Sequence, residues 1–373
     1  MLFWLAPYLC KVWGPFRLLG SHLVLLSVGT MLAGLLIHLY LPKLWKRLPT
    51  DKGKIHTPDG GVMAIGKPTG AGIIIAQIVL PIVLLFVPLD LPMLGVIACL
   101  YFCMLFGYLD DASAVPWGQL KKGLLDGVVA ISASAFIYWA QGSHVWLPVL
   151  KQEVLVSAWI YIPCAAMLLW FSMNATNCTD GVDGLAGTLT LISLFALVGM
   201  LYGVVGYKPV ANYLLIPHNA EAARWAILMA INAGAVAGYL WWNAEPSRVL
   251  MGDAGSRLLG MLVGVAVLIA GNPFLIIVVS PVVLVNGGTG LFKLVLLRSL
   301  RKIGFDTRPP NTLPAEDAAQ LHVLVKALHS VRFPLHDHCR HRLGWSNAQV
   351  LMRFALLQGF LIPLLFVILV KIR

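Results

Sequence analysis

The chain has 373 residues, 59% of them hydrophobic and only 12% charged. A soluble domain carries about 25% charged residues, so the composition excludes an ordinary soluble enzyme, and long apolar runs without period-two alternation exclude a β-barrel. The formal net charge of +11 fits a membrane protein with basic loops on one side and does not call for a nucleic-acid partner.

Ten apolar stretches of about 20 residues predict membrane-spanning helices, near 22–44, 70–89, 92–109, 123–141, 156–173, 187–207, 225–242, 256–271, 273–297 and 348–370. The expectation is an all-α, polytopic integral membrane protein of one domain, 1–373, without internal repeats. The opening MLFWLAPYLC is apolar but has neither a basic leader nor a small-residue cleavage site, so no signal peptide is read. The six cysteines have no zinc-like spacing and read as small apolar side chains.

With the loop after the first span on side A, the sequence places 18 of the 27 Lys and Arg on that side and seven on the other. Side A is therefore expected to be cytoplasmic, with both termini outside. Twelve of the 16 acidic residues also fall on side A. Carboxylates follow no orientation rule of their own, so their one-sided distribution points to a reaction site on the cytoplasmic face rather than a path through the membrane.

Four polar clusters supply candidates. In GYLDDASAVPWGQLKKG, Asp110 and Asp111 close the third span, where paired carboxylates can bind a metal or act as a base; Lys122 opens the fourth and can neutralise a phosphate as a point charge. Asp126, one turn deeper, is expected to pair with Lys122 or Lys121. In NATNCTDGVDGLAG, Asn174 to Gly187, Asn177, Asp180 and Asp183 are oxygen-rich groups suited to a hard cation and its phosphate ligand, and the interspersed glycines permit close backbone approach. In WWNAEPSRVLMGDAGSRLLG, Asn243 ends the seventh span and Asp253 precedes the eighth as a candidate Mg²⁺ ligand, with Ser256 placed to cap that helix. In RFPLHDHCRHRLGW, His336, Asp337, His338 and His341 lie among Arg332, Arg340 and Arg342. Without a thiolate or a third spaced ligand they read as a diphosphate patch rather than a zinc site. Lys293 follows Asn286-Gly-Gly-Thr-Gly290, where the ninth span is expected to break and line a cavity. Ala315 to Ser330 reads as an amphipathic helix lying on the inner membrane surface, within a cytoplasmic stretch at about 300–346.

Taken together, these motifs resemble those of the polyprenyl-phosphate N-acetylhexosamine-1-phosphate transferases. The Asp110-Asp111 pair, NATNCTDGVDGLAG, Asn243 with GDAGS, and PLHDH followed by LGWSNAQVLMRF occur in that superfamily's order, nearly end to end. The LGWSNAQVLMRF tail resembles more closely the phospho-N-acetylmuramoyl-pentapeptide transferase branch than the GlcNAc-1-phosphate branch. The resemblance implies a Mg²⁺-dependent transfer of phospho-MurNAc-pentapeptide from UDP-MurNAc-pentapeptide to undecaprenyl phosphate in the bacterial inner membrane, by a homodimer, with lipid I and UMP as products. It implies Asp253, Asp111 and Asp180 near the metal, Asp110 as base or acceptor partner, and Lys122, Asn177, Asp180, Asp183, Asn243, His336 and His338 around the substrates. This sequence departs from the pattern at Ala114 and Ala64, where lysines are usual, at Pro68-Thr-Gly-Ala-Gly72, at Asp337 between two histidines, at Lys293, and in a long 303–331 loop. The sister reading is the same chemistry on UDP-GlcNAc or a related UDP-sugar.

Overall fold

The computed structural model describes residues 1–51, 53, 65–147, 150, 153–309 and 321–371. Its helices in order are α1 (Leu2–Leu9), α2 (His22–Leu44), α3 (Gly72–Phe86), α4 (Leu91–Ala112), α5 (Gln119–Gln141), α6 (Ala158–Thr179), α7 (Leu185–Val198), α8 (Lys208–Tyr213), α9 (Ala222–Asn243), α10 (Gly252–Ile269), α11 (Leu275–Val279), α12 (Pro281–Val283), α13 (Thr289–Lys302), α14 (Val323–Ser330), α15 (Leu335–Leu343) and α16 (Asn347–Lys371). A two-residue antiparallel pair, β1 (His144–Val145) with β2 (Val154–Leu155), closes the α5–α6 connection.

Among the described residues, nine helices are long and apolar enough to cross a membrane. The expected span at 70–89 is the exception in length: its helix, α3, has 15 residues and stops at Phe86, just before Pro88. At about 1.5 Å per residue it falls short of a hydrocarbon core about 30 Å thick. The ninth span differs from its predicted 273–297. Its candidate segment runs Pro281–Lys302, with a π-helical stretch, Leu284–Gly288, at the Asn286-Gly-Gly sequence. The expected break at this point is instead a π-helical turn within a continuous helix: two glycines weaken helical order, and the wider turn absorbs the slack.

α10 is the centre of the bundle. It is buried over 89% of its apolar stretch, whereas α16 is buried over 17% and faces outward. Small residues let the neighbours come close, as in membrane packing generally, where there is little hydrophobic drive between helices. On α2 and α9, a side chain at Gly234 would meet the Thr30 carbonyl at 2.1 Å, and one at Gly238 the Gly34 carbonyl at 2.3 Å. On α4, a Cβ at Gly107 would lie 2.5 Å from the Asp253 carbonyl oxygen. The last contact draws the acidic end of α4 against the start of α10, and the candidate site forms there.

The expected surface helix from Ala315 is seen only in part, because its first residues lie outside the described ones. Val323–Ser330 is helical, but Leu321 and Val325 pack on Leu300 of α13, with Leu296 and Leu328 beside them. Part of the apolar face thus packs on protein, while Val323 and Leu324 stay exposed.

Candidate active site

The structure gathers the C-terminal ends of α4, α6 and α9 and the N-terminal ends of α5 and α10. Asp110, in the last turn of α4, is buried; its Oδ1 accepts from the Trp117 N–H at 2.8 Å, and its Oδ2 pairs with Lys122 Nζ. Lys122 also reaches Asp253 Oδ2 at 3.1 Å. One lysine from α5 thus joins carboxylates of α4 and α10, 143 positions apart in the chain.

Asp111 does different work. Its Oδ1 accepts from the Asp253 N–H at 3.1 Å and its Oδ2 from the Ala254 N–H at 3.0 Å. The first N–H groups of a helix lack intrahelical partners and carry partial positive charge, so Asp111 caps α10 from another helix. Gly252 makes this possible: its φ is +70°, and a Cβ there would meet Asp111 Oδ2 at 2.4 Å. α10 therefore starts at Gly252, four residues before the predicted 256. Ser256 is not its cap, as the sequence suggested, but sits one turn inside the helix and donates to the Gly252 carbonyl at 2.8 Å.

Behind Asp253 lies a pair that the sequence reading assigned otherwise. Arg257 donates to Asp253 Oδ2 at 2.9 Å and to Asp126 Oδ1 at 2.9 Å. Asp126 therefore pairs with Arg257 and not with Lys121 or Lys122. Lys121 instead lies 3.5 Å over the Trp117 ring. Asn174 Nδ2 approaches Asp126 Oδ2 at 3.4 Å and donates to the Trp170 carbonyl. Arg257 lies one turn inside α10. An i, i+4 spacing from Asp253 is the sequence signal that could have found it.

The polar stretch after the fifth predicted span begins as helix. α6 continues through Asn174 and Asn177 to Thr179, and half-buried Asp180 terminates it. Asp183 Oδ2 accepts from the Ser247 N–H at 3.0 Å, with Lys67 Nζ 3.7 Å away; Lys67 also donates to Ser247 Oγ at 3.0 Å. Asn243 is a buried latch. Its Oδ1 accepts from Gly184 N–H at 2.9 Å and its Nδ2 donates to the Val249 carbonyl at 2.8 Å, which fixes the Asp183 loop to the α9–α10 connection.

His336 joins the rim from inside. It is buried, and Asn286 Oδ1 accepts its N–H at 2.8 Å and lies 3.1 Å from its Nδ1. Its Nε2 packs on Gly181, where a Cβ would come within 2.3 Å. His338 is half-buried and accepts from the Arg332 N–H through Nδ1 at 3.3 Å. Lys293 donates to the Val331 carbonyl at 3.0 Å and lies 5.7 Å over the Phe333 ring, tying down the segment that leads to α15. The predicted residues thus form three adjoining groups: Asp110, Asp111, Lys122 and Asp253; Asp183 and Asn243; and His336 against Gly181.

Bundle and cluster define a multi-pass helical membrane protein with its charged chemistry concentrated where the helices end. Residues 93–271 match glycosyl transferase family 4, the segment that contains the first two groups. The chain is 42% identical over 369 residues to the phospho-N-acetylmuramoyl-pentapeptide-transferase of Treponema pallidum (strain Nichols), covering 98% of this chain and 95% of that one. Proteins of the same name from Gemmatimonas aurantiaca and Brachyspira hyodysenteriae are 28% and 26% identical, over 100% and 85% of this chain and 100% and 84% of theirs. The chain belongs to the phospho-N-acetylmuramoyl-pentapeptide transferase family.

Proposed function

We propose that this protein transfers phospho-MurNAc-pentapeptide from UDP-MurNAc-pentapeptide to undecaprenyl phosphate, as a homodimer in a bacterial inner membrane, with the cluster on the cytoplasmic face. The observation that carries the reading is the Asp110–Lys122–Asp253 junction at the end of the bundle. There a lipid-borne phosphate and a water-borne nucleotide can meet. A phosphate oxygen of the lipid attacks the β-phosphorus of the donor. The bond from that phosphorus to the bridging oxygen breaks, and UMP leaves with the bridging oxygen. The acceptor monoester has a second pKa of about 6 and is largely ionised at neutral pH, so the attack needs little base assistance. The main obstacle is repulsion between phosphates, which positioned positive charge lowers.

The residues suit Mg²⁺. Asp110, Asp111, Asp126 and Asp253 against Lys122 and Arg257 leave a formal charge of −2, and every donor is oxygen. Among the described residues no three His, Cys, Asp or Glu side chains form a cage. Mg²⁺ is commonly held by one or two carboxylates together with substrate phosphates. Asp253 and Asp110 would hold it, with Asp180, the residue that ends α6, as a further donor. When bound, the ion supplies charge neutralisation at the diphosphate. Lys122 is released from its carboxylate partners toward phosphate, Asp111 keeps the Asp253 backbone in place, and Asn177, Asp183 and His336 shape the nucleotide-sugar side, with His338 at its rim.

The test is UMP release by the detergent-purified protein given undecaprenyl phosphate and UDP-MurNAc-pentapeptide, with and without Mg²⁺. The expected result is Mg²⁺-dependent UMP together with a lipid-linked product. Turnover with UDP-GlcNAc and none with the pentapeptide donor would assign the sister reaction instead.

A further inference from the structure

The transfer site rests on a second, buried layer of charge. Arg257 lies between Asp253 and Asp126, and its side chain is 5% exposed, against 2% for Asp126. Its Nε is buried without a partner among the described residues, so the guanidinium is held by its two outer nitrogens alone. The remainder of α10 beyond this point is Leu, Gly, Met, Val, Ala and Ile, and a leucine would fill the position at lower cost. Buried ion pairs add little stability compared with well-packed apolar side chains, and ionisable groups within membrane helices usually serve function. Folding alone therefore gives no reason for the pair.

The reason lies in the two cations on Asp253 Oδ2. Lys122, at 3.1 Å, is 24% exposed on a flexible stem and is shared with Asp110. An arriving phosphate competes for it. Arg257, at 2.9 Å, has no such freedom, because Asp126 fixes its other arm and Asn174 backs Asp126. A planar guanidinium gripped at both ends fixes direction as well as charge.

We propose that Arg257 is a positioning residue of the transfer reaction: anchored by Asp126, it holds the Asp253 carboxylate in its working direction after Lys122 turns to the substrate phosphates. This rests on the reading of the site as a phosphoryl-transfer centre. Arg257 touches no reacting atom; it acts through Asp253. Asp126 is the anchor, and Asn174 steadies the anchor from α6. The strut runs from α5 through α10, so the orientation of Asp253 is set by the packing of three helices and not by the loop before α10.

The test compares the full-length native protein in detergent with Arg257→Lys and with the paired variant Arg257→Leu/Asp126→Leu. The paired change removes one charge of each sign, so net charge is conserved and no buried ion is stranded. Three readouts are taken: UMP release over a range of donor concentrations, thermal unfolding, and Mn²⁺ binding without substrates, followed by the electron paramagnetic resonance signal of free Mn²⁺. The expected result for the paired variant is a near-native Tm, kcat lower by about 100-fold with donor KM little changed, and Mn²⁺ affinity lower by about tenfold. Arg257→Lys, which keeps the charge and loses one arm, should fall between. Native-like kcat and Mn²⁺ affinity in the paired variant would overturn the proposal, leaving the pair structural. Should the paired variant fail to fold, Arg257→Lys decides: a kcat loss at native KM and Tm supports positioning, and native kcat overturns it. Should the native protein release no UMP, the transferase reading is what fails, and the Mn²⁺ comparison still decides whether the strut aims Asp253.

Discussion

At the scale of single residues, adjacent carboxylates have divided their tasks. Asp110 faces a mobile cation; Asp111 spends both oxygens on the backbone of the next helix. The two should therefore fail differently when replaced. Lys122→Met leaves Asp253 its arginine and leaves the backbone untouched. It is expected to cut kcat by roughly 10²–10³-fold, the usual effect of losing one electrostatic donor at a reacting centre, with a smaller fall in Tm because buried Asp110 keeps only the Trp117 N–H. Asp111→Ala strips α10 of two charge-assisted caps. Each hydrogen bond to a charged group contributes about 1.5–3 kcal/mol, so this variant should show a clear fall in Tm, with turnover lost as a consequence. Unfolding curves set beside UMP release separate the two cases, and an Asp111→Ala protein with native Tm would remove the capping role.

At the scale of elements, the site depends on how closely α4 can approach α10. Gly107 marks the closest point, with the Asp253 carbonyl oxygen and the Ala254 Cα at 2.5 and 2.7 Å from where a methyl would stand. Gly107→Ala must push the two backbones apart, which moves Asp110 and Asp253 relative to each other. A misplacement on the order of 1 Å can cost about 10²-fold in rate, so turnover should drop by at least tenfold, with a Tm several degrees lower. Gly127→Ala is the control. It sits on α5 with nothing within 4 Å of its would-be Cβ, and alanine is favoured over glycine in a helix interior by about 0.5–1 kcal/mol. That variant should match the native protein or exceed it in Tm, at native turnover.

For the whole molecule, function turns on orientation. The cluster occupies one end of the bundle, and the basic loops expected on side A join the same helix ends. Cysteines introduced at Lys302 and at Asn212, in a chain otherwise free of thiols, should report this in intact cells. A membrane-impermeant maleimide is expected to label position 212 and to spare position 302 until the membrane is opened. The reverse pattern would turn the site to the outside and exclude a cytoplasmic nucleotide as donor.

Much of this protein was legible without coordinates. Apolar runs of span length can satisfy their backbone in lipid only as helices, so the helical membrane class followed from composition and periodicity. The order of the acidic motifs pointed to the family, and of the residues it named Asp110, Asp111, Lys122 and Asp253 meet where helices end. What sequence periodicity could not supply was the partner of each charge. Asp126 seemed to belong to the lysine one turn away, because a one-dimensional reading favours near neighbours; packing of α5 on α10 gave it to Arg257, 131 positions later. Ser256 looked like a helix cap, and the true cap came from Asp111, 142 positions before the Asp253 whose N–H it accepts. In the amphipathic stretch after residue 320, Leu321 and Val325 meet Leu300 of α13, a contact no local pattern names. Backbone hydrogen bonding and apolar burial are local demands that a sequence states directly; which carboxylate meets which cation is set by a few ångströms of helix approach, and only the folded bundle decides it.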